Sequence, residues 1–277
     1  MRALNVAKSA VKNFAFHKLG RCNVCGKISL FVCLDVDMAR NNMYCIFCRS
    51  SSRKRHVAKI ILSEVIQNTP SISCIPKKQS LKIYTTDTND AFYKVLRNYD
   101  SYTSSIFSPN IKTGTEIHER VFCQNLEKLT FDNETFDLVI TEDVFEHVRD
   151  YQRGFSEVNR VLKTGGYHIF TVPCYFDRPT LVRVDTSTDE DVYLLPPEYH
   201  GDKIRGKILA YRTFGIDLFH FLHSLGFETR VDFSNYSDQK LGIFNSYVFI
   251  TRKVFHHESV SVATVDPSYY QLHSSGT

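Results

Sequence analysis

Four cysteines fall as Cys22-x2-Cys25, then 19 residues, then Cys45-x2-Cys48. Each C-x2-C turn aims two sulfurs at one point, and two such turns complete the tetrahedral shell that zinc prefers, so the spacing reads as a structural zinc ribbon. Four thiolates leave no open position, which makes this metal an organiser of structure and not a reagent. Buried thiols or disulfides are the alternative. Cys33, Cys74, Cys123 and Cys174 have no comparable spacing and read as small core residues. Directly after the second knuckle, RSSSRKRH, Arg49 to His56, opens an amphipathic run. It could contact phosphate at a helix start, but a solvated helix turn is the plainer reading, because no interleaved aromatics are there to stack bases.

The elements that must position such groups follow from residue 81. LKIYTT reads as a strand, NDAFYKVLRNY as a helix and SYTSSIF as a strand, with a looser stretch to ERVFCQNL. FDLVITE is a strand, VFEHVRDYQRGFSEVNRVL a helix and GGYHIFTVP a strand, with Gly165-Gly166 as a glycine stop after a basic last turn. A long irregular segment runs from Cys174 to about Ala210, then FGIDLFHFLHSLGF is a helix, and ETRVDFS and SYVFITRK close as an antiparallel edge pair. Such alternation argues a mainly parallel sheet covered on both faces, with ligands at the carboxyl ends of its strands. The expected organisation is a basic segment at 1–20, the zinc ribbon at 21–55, a connecting helix at 56–78, a body at 79–255 with a cover segment at 174–210, and a tail at 256–277.

FDLVITEDVFEHVRDYQRGFSEVNRVLKTGGYHIFTVP, Phe136 to Pro173, resembles the central block of class I S-adenosylmethionine-dependent methyltransferases. The likeness rests on a strand ending at an acidic pair, a D-V-x-E-H helix start, an R-V-L-K-x-G-G turn and a T-V-P strand end. NLEKLTFDNETFD upstream, and PPEYHGD and YRTFGIDL downstream, are similar to flanking segments of that family. With the cysteine head, the chain resembles zinc-ribbon methyltransferases often found beside surface-glycan biosynthesis genes. The resemblance implies an α/β, Rossmann-like, seven-stranded sheet, mostly parallel with an antiparallel last strand. It also implies methyl transfer from S-adenosylmethionine. By carry-over, Glu142 and Asp143 end the fourth strand beside the cofactor, and His147 lies one helical turn beyond. Asp143, His147 and His200 of the cover segment are the candidate bases, since an oxygen or nitrogen acceptor loses a proton. In the plainer reading Asp143 and Glu146 favour a helix N-terminus, while the two histidines hold packing. Asp143, Glu146 and His147, three and four residues apart, also give a second-metal reading on one helix face.

The family cradles its cofactor with a glycine-rich loop after the first strand, yet no glycine occurs here from Lys27 through Thr113. Thr86, Asp87 and Asn89 must then make the bend and contact the cofactor with side chains. Ser105 stands near the second strand end, where no carboxylate is available for a ribose diol. Asn125, followed by Leu126, stands where the family often has an Asp near the adenine amino group.

Charge is divided along the chain. Residues 1–60 hold 12 Lys and Arg against Asp35 and Asp37, a net of +10, which leaves 22 basic and 28 acidic residues and a net of −6 in 61–277. A basic head on an acidic body suggests an anionic partner such as nucleic acid, or else a solvated surface. With 43% hydrophobic residues and no apolar run of about 18–20 residues, no transmembrane segment is expected; the N-terminus lacks a secretory pattern, so the expected location is cytoplasmic. The leading expectation is a methyltransferase, with S-adenosylmethionine and structural Zn2+, acting on an O or N atom of a glycan, nucleotide-sugar or small molecule. An RNA methyltransferase using residues 1–60, and a non-catalytic methyltransferase-like scaffold, are the alternatives.

Overall fold

The computed structural model describes residues 8–9, 11–77, 80–202, 206–233 and 237–254, so the tail expected from residue 256 lies outside the described residues. The head is a three-stranded antiparallel sheet of β1 (Lys18–Arg21), β2 (Ile28–Cys33) and β3 (Met43–Cys45). Each cysteine turn closes on a residue with left-handed backbone: Gly26 at φ 76° after the first, Arg49 at φ 64° after the second. Glycine adopts that conformation without steric cost, whereas Arg49 does not. The turns are tied by Gly26 N–H to Cys22 O at 2.8 Å and Arg49 N–H to Cys45 O at 3.0 Å.

A helix follows at Ser52–Glu64, its first turn capped by Ser51, whose hydroxyl accepts from Lys54 N. It therefore runs across the boundary expected at residue 55. Its buried Val57, Ala58, Ile60 and Ile61 share one core with Cys22, Cys45 and Cys48 of the head and with Ile83, Leu138, Ile140, Ile169, Val248 and Ile250 of the body. Head and body are thus packed on one another and not joined by a free linker.

The body is an eight-stranded mixed sheet. Its order is Phe227–Asp232, Val248–Lys253, β9 (Leu162–Thr171), β8 (Phe136–Glu142), β4 (Ile83–Thr85), β5 (Tyr102–Ile106), β7 (Val121–Cys123) and β6 (Glu116–His118). β9, β8, β4, β5 and β7 run parallel. The eighth strand, beyond the expected seven, is β6, folded back antiparallel on β7 through a turn at Arg120, φ 57°. The last strand, Val248–Lys253, is antiparallel as expected and forms the expected edge pair with Phe227–Asp232, which is the outer strand of the two. It inserts between β9 and Phe227–Asp232, which buries Val248, Phe249 and Ile250. Along β8, Leu138 and Ile140 face the Ser52–Glu64 helix, while Val139 faces Phe155, Val158, Leu218 and Leu222 of the helices Tyr151–Val161 and Asp217–Ser224. The period-two alternation of a strand covered on both faces produces this split.

Three local expectations are corrected. The helix expected from Val144 to Leu162 is a 3-10 turn, Phe145–His147, followed by an α-helix, Tyr151–Val161, because Asp150 accepts from Arg153 N at 2.9 Å and starts a new helix there. LKTGG belongs to β9, where Gly165 at φ 80° lies beside a shift in register with β8; the glycines shape a bulge and do not stop a helix. The cover segment is not irregular throughout, since Glu198–Asp202 and Gly206–Ala210 pair as a hairpin. Among the other cysteines, Cys33 and Cys123 are buried and Cys174 partly so, but Cys74 is exposed.

His168 of β9 is fully buried against Phe145, Phe155 and Phe170, with Thr141 Oγ1 2.9 Å from its Nε2. Burial pushes its pKa down to about 3. The unfolded chain takes up a proton near pH 6.5 that the fold refuses, so stability falls by about 1.4 kcal/mol per pH unit below that point. Chemical denaturation at about pH 5 should give a stability about 2 kcal/mol below that at about pH 7.5 from this group, and His168→Gln should remove that part of the slope. An unchanged slope in the variant would contradict the assignment.

Candidate functional site

The four cysteine sulfurs converge. Cys22 Sγ lies 3.7 Å from Cys48 Sγ and Cys25 Sγ 3.8 Å from Cys45 Sγ. Four thiolates about 2.3 Å from a zinc ion sit roughly 3.8 Å apart along the tetrahedral edges, which these two distances match, and all four sulfurs lie within 4.8 Å of one another. None of the four forms a disulfide. Ser29 and Ser50 hydroxyls lie against Cys45 and Cys48 at 3.1 and 3.2 Å. Arg55 stands behind the cluster, fully buried, over the Phe31 ring at 4.1 Å. It donates to the carbonyls of Ser50, Met43, Leu241 and Gly242, and so ties both the second cysteine turn and the body to one guanidinium.

At the carboxyl ends of β4 and β8, where strand order reverses, opens a cleft of about 1830 Å³. Every cofactor or catalytic residue nominated from the sequence lines it: Thr86, Asp87, Asn89, Ser105, Asn125, Leu126, Glu142, Asp143, His147 and His200. Their local roles differ. Asp87 Oδ1 accepts from Asn89 N at 2.8 Å, closing the glycine-free bend, and Asp90 caps the next helix by accepting from Tyr93 N at 2.7 Å. Ser105 Oγ pairs with Tyr84 OH at 2.7 Å, and Asn125 Oδ1 accepts from Glu127 N at 2.9 Å. These bonds set the shape of the strand ends.

The head supplies residues to this cleft that the sequence reading did not assign to it. Lys54 Nζ, from the Ser52–Glu64 helix, donates to both Asp90 and Glu142. Arg53 donates to Asp143, and Arg40 grips the same carboxylate with two hydrogen bonds of 2.9 Å each. Burial opposes the charge on Lys54, yet the carboxylates of Asp90 and Glu142 hold its ammonium above the usual value. RSSSRKRH is therefore neither an exposed phosphate patch nor a solvated turn: Lys54, Arg55 and His56 are buried and Arg53 is turned onto Asp143. The signal was the charge division itself, because a +10 head beside acidic strand ends can be neutralised internally.

Asp143 sits at φ 51°, uncommon for a residue with a side chain, and its Oδ1 also accepts from Thr171 Oγ1 at 2.8 Å. With two guanidiniums on it, this carboxylate is held as an ion pair. Glu146 behaves differently. It is fully buried, neither carboxylate oxygen has a hydrogen-bond partner, and burial pushes its pKa up to about 7. His147 Nε2 and His200 Nδ1 face one another at 3.1 Å beside it. Arg212, buried across the turn, donates to the carbonyls of Phe145, Val148 and Arg149 and fixes the backbone that carries Glu146 and His147.

No helix among the described residues is long and apolar enough to cross a membrane. An uncharacterized protein of Methanocaldococcus jannaschii is 31% identical over 134 residues, 48% of this chain and 52% of its own length. A sarcosine/dimethylglycine N-methyltransferase of Aphanothece halophytica is 33% identical over 82 residues, 27% of this chain and 30% of that protein. The chain thus spans about half or less of the length of these curated relatives. A crystal structure of an S-adenosylmethionine-dependent methyltransferase from Mesorhizobium loti aligns with 74% of this chain and 99% of its own at 12% identity, with a TM-score of 0.44. The family model of a methyltransferase domain matches residues 74–170, the stretch that supplies β4 to β8 and most of β9, so that stretch is similar to a methyltransferase domain.

Proposed function

We propose that the chain is a methyltransferase that uses S-adenosylmethionine to methylate an oxygen or nitrogen of a glycan, nucleotide-sugar or other small molecule, with zinc holding the cysteine head. The observation that carries this reading is the cleft at the β4/β8 switch within the segment that matches the methyltransferase domain. The cleft is lined by the carboxylates Asp87, Asp90, Glu127, Glu142, Asp143 and Glu146 and by the cations Arg40, Arg49, Arg53, Lys54, Lys94, Arg149 and Lys207, so both signs of charge are available to a zwitterionic cofactor. Glu142 Oε1 is buried in the cleft with Arg53 Nε 3.7 Å away and no hydrogen-bond partner, which leaves it capacity to accept from an incoming donor.

Thr86, Asp87 and Asn89 would hold the cofactor from the β4 bend, Ser105, Asn125 and Leu126 from the β5 and β7 ends, and Glu142 from β8. When bound, the cofactor supplies an activated methyl group. The chain's own task is then to bring an acceptor atom in line and to exclude water, which positioning alone can accelerate greatly. His147 and His200 line the cleft beside the hairpin of Glu198–Asp202 and Gly206–Ala210. Asp143, held by Arg40 and Arg53, orients rather than abstracts. Incubation of the full chain with methyl-labelled S-adenosylmethionine and panels of glycans and nucleotide-sugars tests the reading: label in an acceptor supports it, and none in any acceptor from a cofactor-bound protein contradicts the acceptor class.

A non-catalytic scaffold is the second reading, favoured by one observation: Lys54 reaches across the space above the glycine-free bend to Asp90 and Glu142. If that ion pair fills the cofactor's place, no cofactor binds. An RNA acceptor is less well supported, because Arg40, Arg53, Lys54 and Arg55 of the basic head are directed into the body.

A further inference from the structure

Glu146, His147 and His200 bring three possible metal-ligand atoms together within 4.8 Å of one another. His147 Nδ1 lies 2.7 Å from the Leu209 carbonyl oxygen, which only accepts, so Nδ1 carries the ring proton and Nε2 presents a lone pair. His200 Nε2 lies 3.1 Å from Glu198 Oε1, so the same logic leaves the lone pair on Nδ1. The two inner nitrogens are 3.1 Å apart, and Glu146 Oε1 stands 3.7 Å from His147 Nε2 and 3.8 Å from His200 Nδ1. Two inner imidazole nitrogens and a buried carboxylate oxygen thus converge on one point, held there by the outer contacts of the two rings.

Their spacing matches a coordination sphere. Ligands about 2.0–2.1 Å from a zinc-sized ion lie roughly 3.3 Å apart on a tetrahedron, within a small side-chain adjustment of these distances. Outer hydrogen bonds from ligand imidazoles to a backbone carbonyl and to a carboxylate are the arrangement that fixes tautomer and ring orientation in metal sites. Glu198 is in turn ion-paired to Arg183. Asp143, which helical spacing would have added to the set, is excluded by its bonds to Arg40 and Arg53. His200, 53 residues away in sequence, takes that place from the hairpin.

We propose that Glu146, His147 and His200 form a binding site for a divalent transition metal such as Zn2+, distinct from the cysteine cluster and open to the cleft. Two imidazoles and one carboxylate suit a borderline-soft ion over Mg2+ or Ca2+. The side chain of His200 is 34% exposed and all three residues line the cleft, so water or an acceptor oxygen would complete the shell from that side. A metal there would acidify that oxygen. The site stands on its own donors, so its test reads metal and not methyl transfer.

The full chain is stripped with a chelator, titrated with Co2+ and followed by absorption and by elemental analysis. A tetrathiolate site gives intense sulfur-to-metal bands and a histidine–carboxylate site does not. We expect wild-type protein to bind one equivalent beyond the thiolate site, and His200→Ala, on a partly exposed hairpin, to lose that equivalent with the thiolate bands unchanged. Glu198→Gln, which leaves the ligands intact but weakens the outer bond, should lower the affinity of the same equivalent by about 10- to 100-fold. Equal equivalents and equal affinity in wild type and His200→Ala, or no equivalent beyond the thiolates in wild type, would overturn the proposal.

Discussion

Cys45→Ser is expected to dismantle the head and the cleft together. Metal binding by structural thiolate sites contributes on the order of 10–16 kcal/mol of apparent free energy, while a whole domain is stable by only about 5–15 kcal/mol. Loss of one ligand therefore removes a large part of what folds β1–β3. The damage is not confined to the head, because Arg55 bonds Ser50 and Met43 at one end and Leu241 and Gly242 at the other, and Arg53 and Lys54 lie on the same helix turn. Thermal unfolding and metal content, measured side by side, should show a lowered midpoint, loss of the thiolate-bound metal and loss of cofactor binding. A chelated wild-type protein with an unchanged midpoint would contradict the structural role.

Glu142→Gln has the next largest expected effect. The substitution keeps the side chain's size and removes its charge, so Lys54 keeps Asp90 but loses a second buried partner. Removing one partner of a buried ion pair costs about 3–5 kcal/mol, and the retained Asp90 places this variant toward the lower end. A hydrogen bond to a charged group contributes about 1.5–3 kcal/mol, so cofactor affinity should fall by roughly 10- to 100-fold. Denaturant melts and a binding titration separate the two effects. An affinity unchanged in a destabilised variant would remove Glu142 from the cofactor site while leaving its pairing with Lys54 intact.

The cysteine cluster was legible because spacing alone sets which thiols can meet, and the order of strands and helices because buried strands and amphipathic helices have different periods. Strand ends were legible for the same reason: residues at or just after the ends of LKIYTT, SYTSSIF, ERVFCQNL and FDLVITE all arrive at one cleft. What sequence did not carry was pairing across long separations. The basic run RSSSRKRH reads as a surface feature until its partners, Asp90, Glu142 and Asp143, are seen 36 to 90 residues away. His200 was visible as a polar loop residue, but its meeting with His147 depends on a hairpin whose strands alternate too weakly to announce it. The 3-10 turn at Phe145–His147 was missed because Glu146 and His147 fit a helix pattern, whereas Asp150 caps a separate helix and Arg212 holds the turn open.

The glycine-free bend sets the central question, and a calorimetric titration answers it most directly. Full-length, metal-loaded protein is titrated with S-adenosylmethionine and with S-adenosylhomocysteine. The account predicts saturable binding of both at one site per chain, weakened in Glu142→Gln. Folded, metal-loaded protein that binds neither would contradict it, and would mean that Lys54 and its carboxylates fill the space a cofactor needs.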